Sequence, residues 1–188
     1  MHTLRRYLLE ESVLLNNSIL KVDTFLNQNI SILLLQDICD KFYDYFKDKN
    51  IDKIITVESG GIAPSILLAN KLGVDVLVLK KGSAKHIEDI YECHVKSFTK
   101  NNEYNLTCSK ENLKDEQNLL LIDDFLATGA VLGGVLNIVK QANCKLVGAG
   151  FIIEKTHQGG SDLLKELKID TFSIEKIKGF ENNEIIWG

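Results

Sequence analysis

Two aspartates stand side by side, Asp123 and Asp124, after the apolar run Leu119-Leu120-Leu121-Ile122. Within a few residues the chain continues as Ala127-Thr128-Gly129-Ala130-Val131, at the mouth of a predicted helix. The first N–H groups of a helix lack internal partners and carry partial positive charge, so that loop suits an anion. Gly129 lets backbone approach the anion closely, and Thr128 adds a hydroxyl donor. Carboxylates would repel a phosphate they touched, but beside one they suit vicinal hydroxyls or a magnesium ion. Pair and loop together therefore describe a site for ribose with a 5′-phosphate. The loop lacks the GKS/GKT ending of a Walker A sequence, and the chain lacks the G-x-G-x-x-G of a dinucleotide site. Taken alone, the acidic pair is equally compatible with a lone metal ion or with capping of the loop. The A-T-G-A run is what favours the sugar phosphate.

These residues must be held by something, and the rest of the chain reads as an α/β fold. Helical spacing predicts helices over Leu4–Leu15 and Ser31–Lys49, the second capped by Ser31 with Leu34, Leu35, Ile38, Phe42, Tyr45 and Phe46 as its apolar stripe. Lys53–Val57 reads as a buried strand running into the loop Glu58-Ser59-Gly60-Gly61-Ile62. Pro64 suits the start of a helix reaching Leu72, with Gly73 closing it. Val74–Leu79, Leu119–Ile122 and Leu146–Ile153 read as further strands, with a helix over Val131–Gln141. Such alternation implies a mostly parallel sheet flanked by helices on both faces, in one domain over 1–188. Gly133-Gly134 inside the helix costs roughly 1 kcal/mol each relative to alanine, which close packing on the sheet would explain.

Between Lys80 and Gln117 the rhythm breaks. Tyr91–Phe98 and Tyr104–Cys108 alternate weakly around Asn101-Asn102, as in a solvated hairpin. A connection of that length in a compact domain is usually a lid or binding loop.

Composition narrows the function classes. The 188 residues are 45% hydrophobic with a formal net charge of -4, which gives no broad basic field for nucleic acid. Cys39, Cys93, Cys108 and Cys144 show no C-x-x-C spacing, as expected of reduced thiols in a cytoplasmic protein. No apolar run nears the roughly 18 to 20 residues of a membrane span, and Met1–Ser12 does not read as a signal peptide. Cys93-His94 has no second ligand pair at metal spacing, so a loop position is expected.

The run NLLLIDDFLATGAV, Asn118–Val131, resembles the 5-phosphoribosyl diphosphate (PRPP) signature of the type I phosphoribosyltransferases. LKVDTFLN (Leu20–Asn27), TVESGGIAPSILLANKLGV (Thr56–Val74), VKSFTK (Val95–Lys100) and IIEKTHQGG (Ile152–Gly160) are similar, in order and spacing, to the xanthine branch of that family. The resemblance implies a small hood from about 1–30 and 155–188, a flexible hairpin lid over about 80–117, and a homodimer. It implies that Ala127, Thr128, Gly129, Ala130 and Val131 hold the 5′-phosphate, that Asp123 and Asp124 hold the ribose, and that Glu58, Ser59, Gly60 and Gly61 receive the diphosphate. Lys81 matches the residue that neutralises the diphosphate, and Lys155 the one that reads a purine 6-oxo group. Leu20 and Asn27 match residues over the base, and Phe125 is expected to pack beside it. Mg²⁺ would arrive with PRPP, without a dedicated protein metal site. Lys80 stands where the family often has arginine, and Val131 lacks the hydroxyl many members carry.

The activity so implied is phosphoribosyl transfer to xanthine. The alternatives are a guanine/hypoxanthine enzyme or a PRPP-binding regulator. From local sequence alone, Asn27 suits a cap or turn, Leu20 and Phe125 ordinary core, and Lys155 a surface charge. Trp187 fits either a cover for the hood or a subunit contact.

Overall fold

The computed structural model describes residues 3–16, 18–82, 89–97 and 102–188. Part of the expected lid therefore lies outside the described residues, together with Phe98, Asn101 and the end of the Val95–Lys100 motif. In chain order the elements are α1 (Thr3–Glu10), β1 (Val13–Leu15), β2 (Ile19–Lys21), a π-helical turn (Asp23–Asn27), α2 (Ile32–Phe46), β3 (Lys53–Val57), α3 (Ile62–Leu72) and β4 (Asp75–Lys81). There follow β5 (Ile90–Ser97), β6 (Asn102–Ser109), β7 (Asn118–Leu126), α4 (Ala130–Gln141), β8 (Lys145–Lys155), α5 (Gly160–Glu166), β9 (Thr171–Glu181) and β10 (Glu184–Trp187).

Eight strands form one sheet in the order β10-β9-β8-β7-β3-β4-β6-β5. The five central strands, β9 to β4, pair in parallel, while β10, β6 and β5 add antiparallel edges. The central strands are apolar on both faces because both faces are covered. Ile54, Leu120, Ile122 and Ile152 face a cluster with Leu34, Ile38, Phe42 and Phe46 of α2. Their neighbours Ile55, Leu119, Leu121 and Phe151 face Val135, Ile138 and Val139 of α4.

Local signals hold where the chemistry is explicit. The Ser31 hydroxyl accepts from Leu34 N–H at 3.4 Å to cap α2. Gly73 closes α3 at φ 72°, a left-handed position that costs glycine nothing. Tyr45, placed in the apolar stripe by spacing, instead stacks on Phe172 at 4.5 Å and donates to Asp170 at 2.7 Å on the surface.

The first helix is shorter than its spacing suggests. It stops at Glu10, where the Ser12 hydroxyl turns back to the Leu8 carbonyl. Val13–Leu15 then pairs antiparallel with Ile19–Lys21 around Asn16, which sits at φ 52°. β7 is longer than predicted and runs through both aspartates, because β8 extends beside it to Lys155 and pairs with Asp123 and Phe125.

The hairpin of β5 and β6 is an extension of the sheet that docks on α4. A Cβ at Gly134 would lie 2.5 Å from Val95 Cγ2 and 2.8 Å from Leu106 Cδ1, so Gly134 is where the hairpin seats. Gly133, by contrast, faces open space and packs on nothing. Cys93 and His94 lie in β5, not in a loop, and His94 contacts Asn105 at 3.0 Å and Glu103 at 3.4 Å.

Candidate active site

The acid pair lies near the carboxyl end of β7, in the row of strand ends where open parallel sheets bind ligands. Asp124 N–H donates to Asp123 Oδ1 at 3.0 Å, and Phe125 N–H donates to Asp124 Oδ1 at 2.8 Å. Burial and then the neighbouring Asp124 charge hold the Asp123 carboxyl well above the ordinary carboxylate range. Burial also raises Asp124, opposed by its hydrogen bonds from Phe125 N–H and from the Asn27 side chain, and by Lys81. The two carboxyls titrate together as a pair, and burial makes their double ionisation costly.

Beyond the pair, the chain bends through Ala127–Gly129 and enters α4 at Ala130. Gly129 stands at φ 82°, and a Cβ there would come within 3.2 Å of Gly160 Cα. Gly160 N–H donates to the Ala127 carbonyl at 2.9 Å, and any side chain at Gly160 would strike that same oxygen at 2.3 Å. The loop from β8 to α5 therefore braces the loop from β7 to α4. With Tyr104, Asp123 and Phe125, residues 127–131 line a cleft of about 120 Å³. The first N–H groups of α4, which lack helical partners, border that cleft.

The Glu58–Gly61 loop lies on the same side. Glu58 accepts from Lys81 N–H at 2.5 Å and contacts the Lys80 ammonium at 3.3 Å, tying the end of β3 to the end of β4. Lys80 thus makes a single ion-pair contact, where the fork of an arginine would offer two parallel donors. The Glu58–Ser59 peptide is cis, and Ser59 is exposed. A Cβ at Gly60 would sit 2.0 Å from Asp124 Oδ2, and one at Gly61 would sit 2.1 Å from Thr56 Oγ1 and 3.0 Å from Asp123 Oδ1. Only glycines let this loop lie against both acids. The Lys81 ammonium stands 5.5 Å over the Tyr104 ring, and its charge acts on both aspartates.

Lys155 ends β8 and closes the far side. Its ammonium lies 5.7 Å from the Phe125 ring and 5.6 Å from that of Phe180, and burial lowers its pKa. Leu20 is buried in the apolar cluster against which Phe125 packs. Asn27, at the end of the π-helical turn, meets Asp124 across Gly60, where a Cβ would lie 3.1 Å from Asn27 Oδ1 and 2.0 Å from Asp124 Oδ2. The two terminal segments meet through Arg5, which donates to Glu175 at 2.7 and 3.0 Å and lies 4.3 Å over the Trp187 ring. Trp187 is therefore a contact between those segments.

Sequence reasoning missed Tyr104, Phe180, Ser18 and the bracing role of Gly160. Tyr104 was legible only as one position of a weak alternation. Gly160 lay inside the Ile152–Gly160 motif but carried no assigned role. Phe180 and Ser18 meet Lys155 only through tertiary contact.

Comparison with known proteins agrees with this geometry. The family model described as "Phosphoribosyl transferase domain" matches residues 21–188. The chain is 40% identical over 186 residues to a xanthine phosphoribosyltransferase of Clostridium botulinum, covering 98% of each chain. It is likewise 40% identical over 186 residues to one of Staphylococcus aureus, covering 98% of this chain and 97% of that one. The fold is similar to that of adenine phosphoribosyltransferase from Rhodothermus marinus, with a TM-score of 0.76 at 17% identity over 93% of this chain and 99% of that one. With a family match spanning most of its length and relatives at this identity end to end, the chain belongs to the phosphoribosyltransferase family.

Proposed function

We propose that this chain transfers the 5-phosphoribosyl group of PRPP to N9 of xanthine, giving xanthosine 5′-monophosphate (XMP) and diphosphate. It would act in purine salvage, as a cytoplasmic homodimer. The observation that carries this reading is one cluster of groups. The 127–131 loop, the Asp123-Asp124 pair and the Lys155 ammonium, 5.7 Å from the Phe125 ring, gather at the carboxyl ends of β7 and β8. Those are the groups that a phosphate, a ribose and a purine 6-oxo group call for. The relatives named above, similar along their whole length, support xanthine as the base.

The residues take complementary roles. Ala127, Thr128, Gly129, Ala130 and Val131 hold the 5′-phosphate through the first N–H groups of α4. Asp123 and Asp124 accept from the ribose hydroxyls, and the negative charge of the pair faces the positive charge that develops on the sugar. Glu58, Ser59, Gly60 and Gly61 bring backbone to the diphosphate, with Lys81 as its counter-charge. The C1–oxygen bond to diphosphate breaks as the N9–C1 bond forms, and the purine's ring proton passes to the Asp123-Asp124 pair. Leu20, Asn27, Phe125 and Lys155 surround the base, Lys155 donating to the 6-oxo group that adenine lacks.

PRPP binds as its magnesium complex, which adds positive charge on the leaving diphosphate. The donor set fits that form of the substrate. Two hard carboxylates stand side by side, enough for an ion that brings diphosphate and water as its other ligands.

The test is an ultraviolet assay with PRPP, Mg²⁺ and, separately, xanthine, guanine, hypoxanthine and adenine. Fast XMP formation with the other bases slow is expected. Preference for guanine or hypoxanthine would replace the base assignment. Turnover of none, with PRPP still bound, would replace the enzyme by a PRPP-responsive regulator.

A further inference from the structure

Tyr104 owes its place to the register of the β5–β6 hairpin. Side chains alternate along a strand, so Tyr104, Leu106 and Cys108 share one face of β6. Leu106 and Cys108 are buried in the cluster with Val135 and Ile138 of α4. Val95 of β5 stands opposite Tyr104, and Val95 and Leu106 are the two side chains seated over Gly134. Gly134 lies about one turn into α4 from Ala130. Tyr104 accordingly packs against the same apolar cluster as Ala130 and Val131, and it lines the same cleft as residues 127–131. The Lys81 ammonium occupies the face of its ring, 5.5 Å from the centroid. Its hydroxyl hydrogen-bonds to no group among the described residues.

A phosphate in that cleft meets no cation. Among the described residues that line it, none is Lys or Arg, and Asp123 is an acid. Hydrogen-bond donors must carry the anion instead: the first N–H groups of α4, the Thr128 hydroxyl and the Tyr104 hydroxyl. Ala127, Gly129, Ala130 and Val131 offer no side-chain donor. Tyr104 is thus the one side-chain donor, among the described lining residues, that comes from outside the loop. Burial and then the Asp123 charge raise its pKa, so the phenol keeps its proton and stays a donor at neutral pH. We infer that the Tyr104 hydroxyl donates to the 5′-phosphate, completing from the β5–β6 hairpin a site that the 127–131 loop leaves open on that side. The inference rests on the phosphoribosyl-transfer reading above and deepens it.

The experiment is equilibrium binding of ribose 5-phosphate and, separately, of inorganic diphosphate with Mg²⁺ to the full-length wild type and Tyr104→Phe, which needs neither turnover nor a base. Phenylalanine keeps the ring over which Lys81 stands and loses only the hydroxyl. Affinity for ribose 5-phosphate should fall by about ten- to a hundredfold, the worth of a hydrogen bond to a charged group, while affinity for diphosphate stays within about twofold. The melting temperature without ligand should hold, since no protein group loses a partner. Ribose 5-phosphate affinity within about twofold of the wild type overturns the inference and leaves the phosphoribosyl-transfer reading standing. An equal loss for both ligands overturns it also, because Tyr104 would then act through Lys81 or through the fold and not on the 5′-phosphate. Failure of the wild type to bind ribose 5-phosphate or PRPP would instead remove the functional reading, and the inference with it.

Discussion

The Lys155 ammonium donates to the Ser18 carbonyl at 3.1 Å, joining residues 137 positions apart. No carboxylate pairs with it among the described residues, and two aromatic rings flank it. The N-terminal segment is thereby fastened over the end of β8 by the same cation proposed to read the base. Burial without a counter-ion lowers the Lys155 pKa, so the charge sits there at a cost that folding alone does not repay.

Lys155→Met should raise KM for the base by about ten- to a hundredfold, the worth of one charge-assisted hydrogen bond. KM for PRPP should change less than about twofold, and the melting temperature should hold or rise as an unpaired ammonium is replaced by an apolar chain. Steady-state kinetics with each substrate varied, together with a thermal melt, check this. A fall in PRPP affinity instead would show the base pocket misassigned.

Asp123→Asn carries a pH signature. The folded protein raises this carboxyl above its ordinary 3.8, so the native state binds the proton more tightly than the unfolded chain does. The wild type therefore loses stability from this group as pH rises from about 3.8 through the folded value. The asparagine variant cannot ionise and lacks that loss. Its denaturation midpoint should match the wild type near pH 4 and exceed it increasingly as pH rises through the folded value, while turnover collapses. Urea titrations across that range suffice, and an advantage independent of pH would contradict the assignment.

Gly133 and Gly134 are adjacent in α4 but should respond differently to alanine. Gly133→Ala meets nothing within 4 Å and should stabilise by about 1 kcal/mol through helix propensity. Gly134→Ala drives a methyl into Val95 and Leu106, an overpacking of about 1–3 kcal/mol that offsets the same gain or exceeds it. It should also lower kcat, because the displaced hairpin carries Tyr104 away from the cleft. Paired denaturation curves and assays distinguish the two.

Gly60→Ala puts a methyl 2.0 Å from Asp124 Oδ2. The carboxylate must move, and a shift of about 1 Å near reacting atoms can cost on the order of a hundredfold in rate. Turnover should fall by that order with a small change in melting temperature. Activity within about threefold of wild type would mean that the loop yields and the acid does not.

Local chemistry made much of this protein legible before folding. A strand buried on both faces must be apolar throughout, so Lys53–Val57 and Leu119–Ile122 stand out. A helix must be capped, so Ser31 and Gly73 mark boundaries. An anion site at a helix N-terminus needs close backbone, so Thr128-Gly129 stands out beside two acids. The C-terminal elements carried no such mark. Thr171–Glu181 mixes Lys and Glu with its apolar positions, since part of β9 faces solvent, and it becomes a strand only because β8 offers an edge.

The order of the chain thus determined the fold class, the acid pair, the loop proposed to take phosphate and the glycines that let a second loop approach. Those properties depend on neighbours within a few residues. The tertiary structure decided what each side chain faces. It set Lys155 between Phe125 and Phe180, turned Tyr104 toward Lys81, braced Gly129 with Gly160, and put Asn27 against Asp124, 97 positions away. Hydrogen bonds and close packing act over a few ångströms of space, and distance along the chain does not specify which groups come that near.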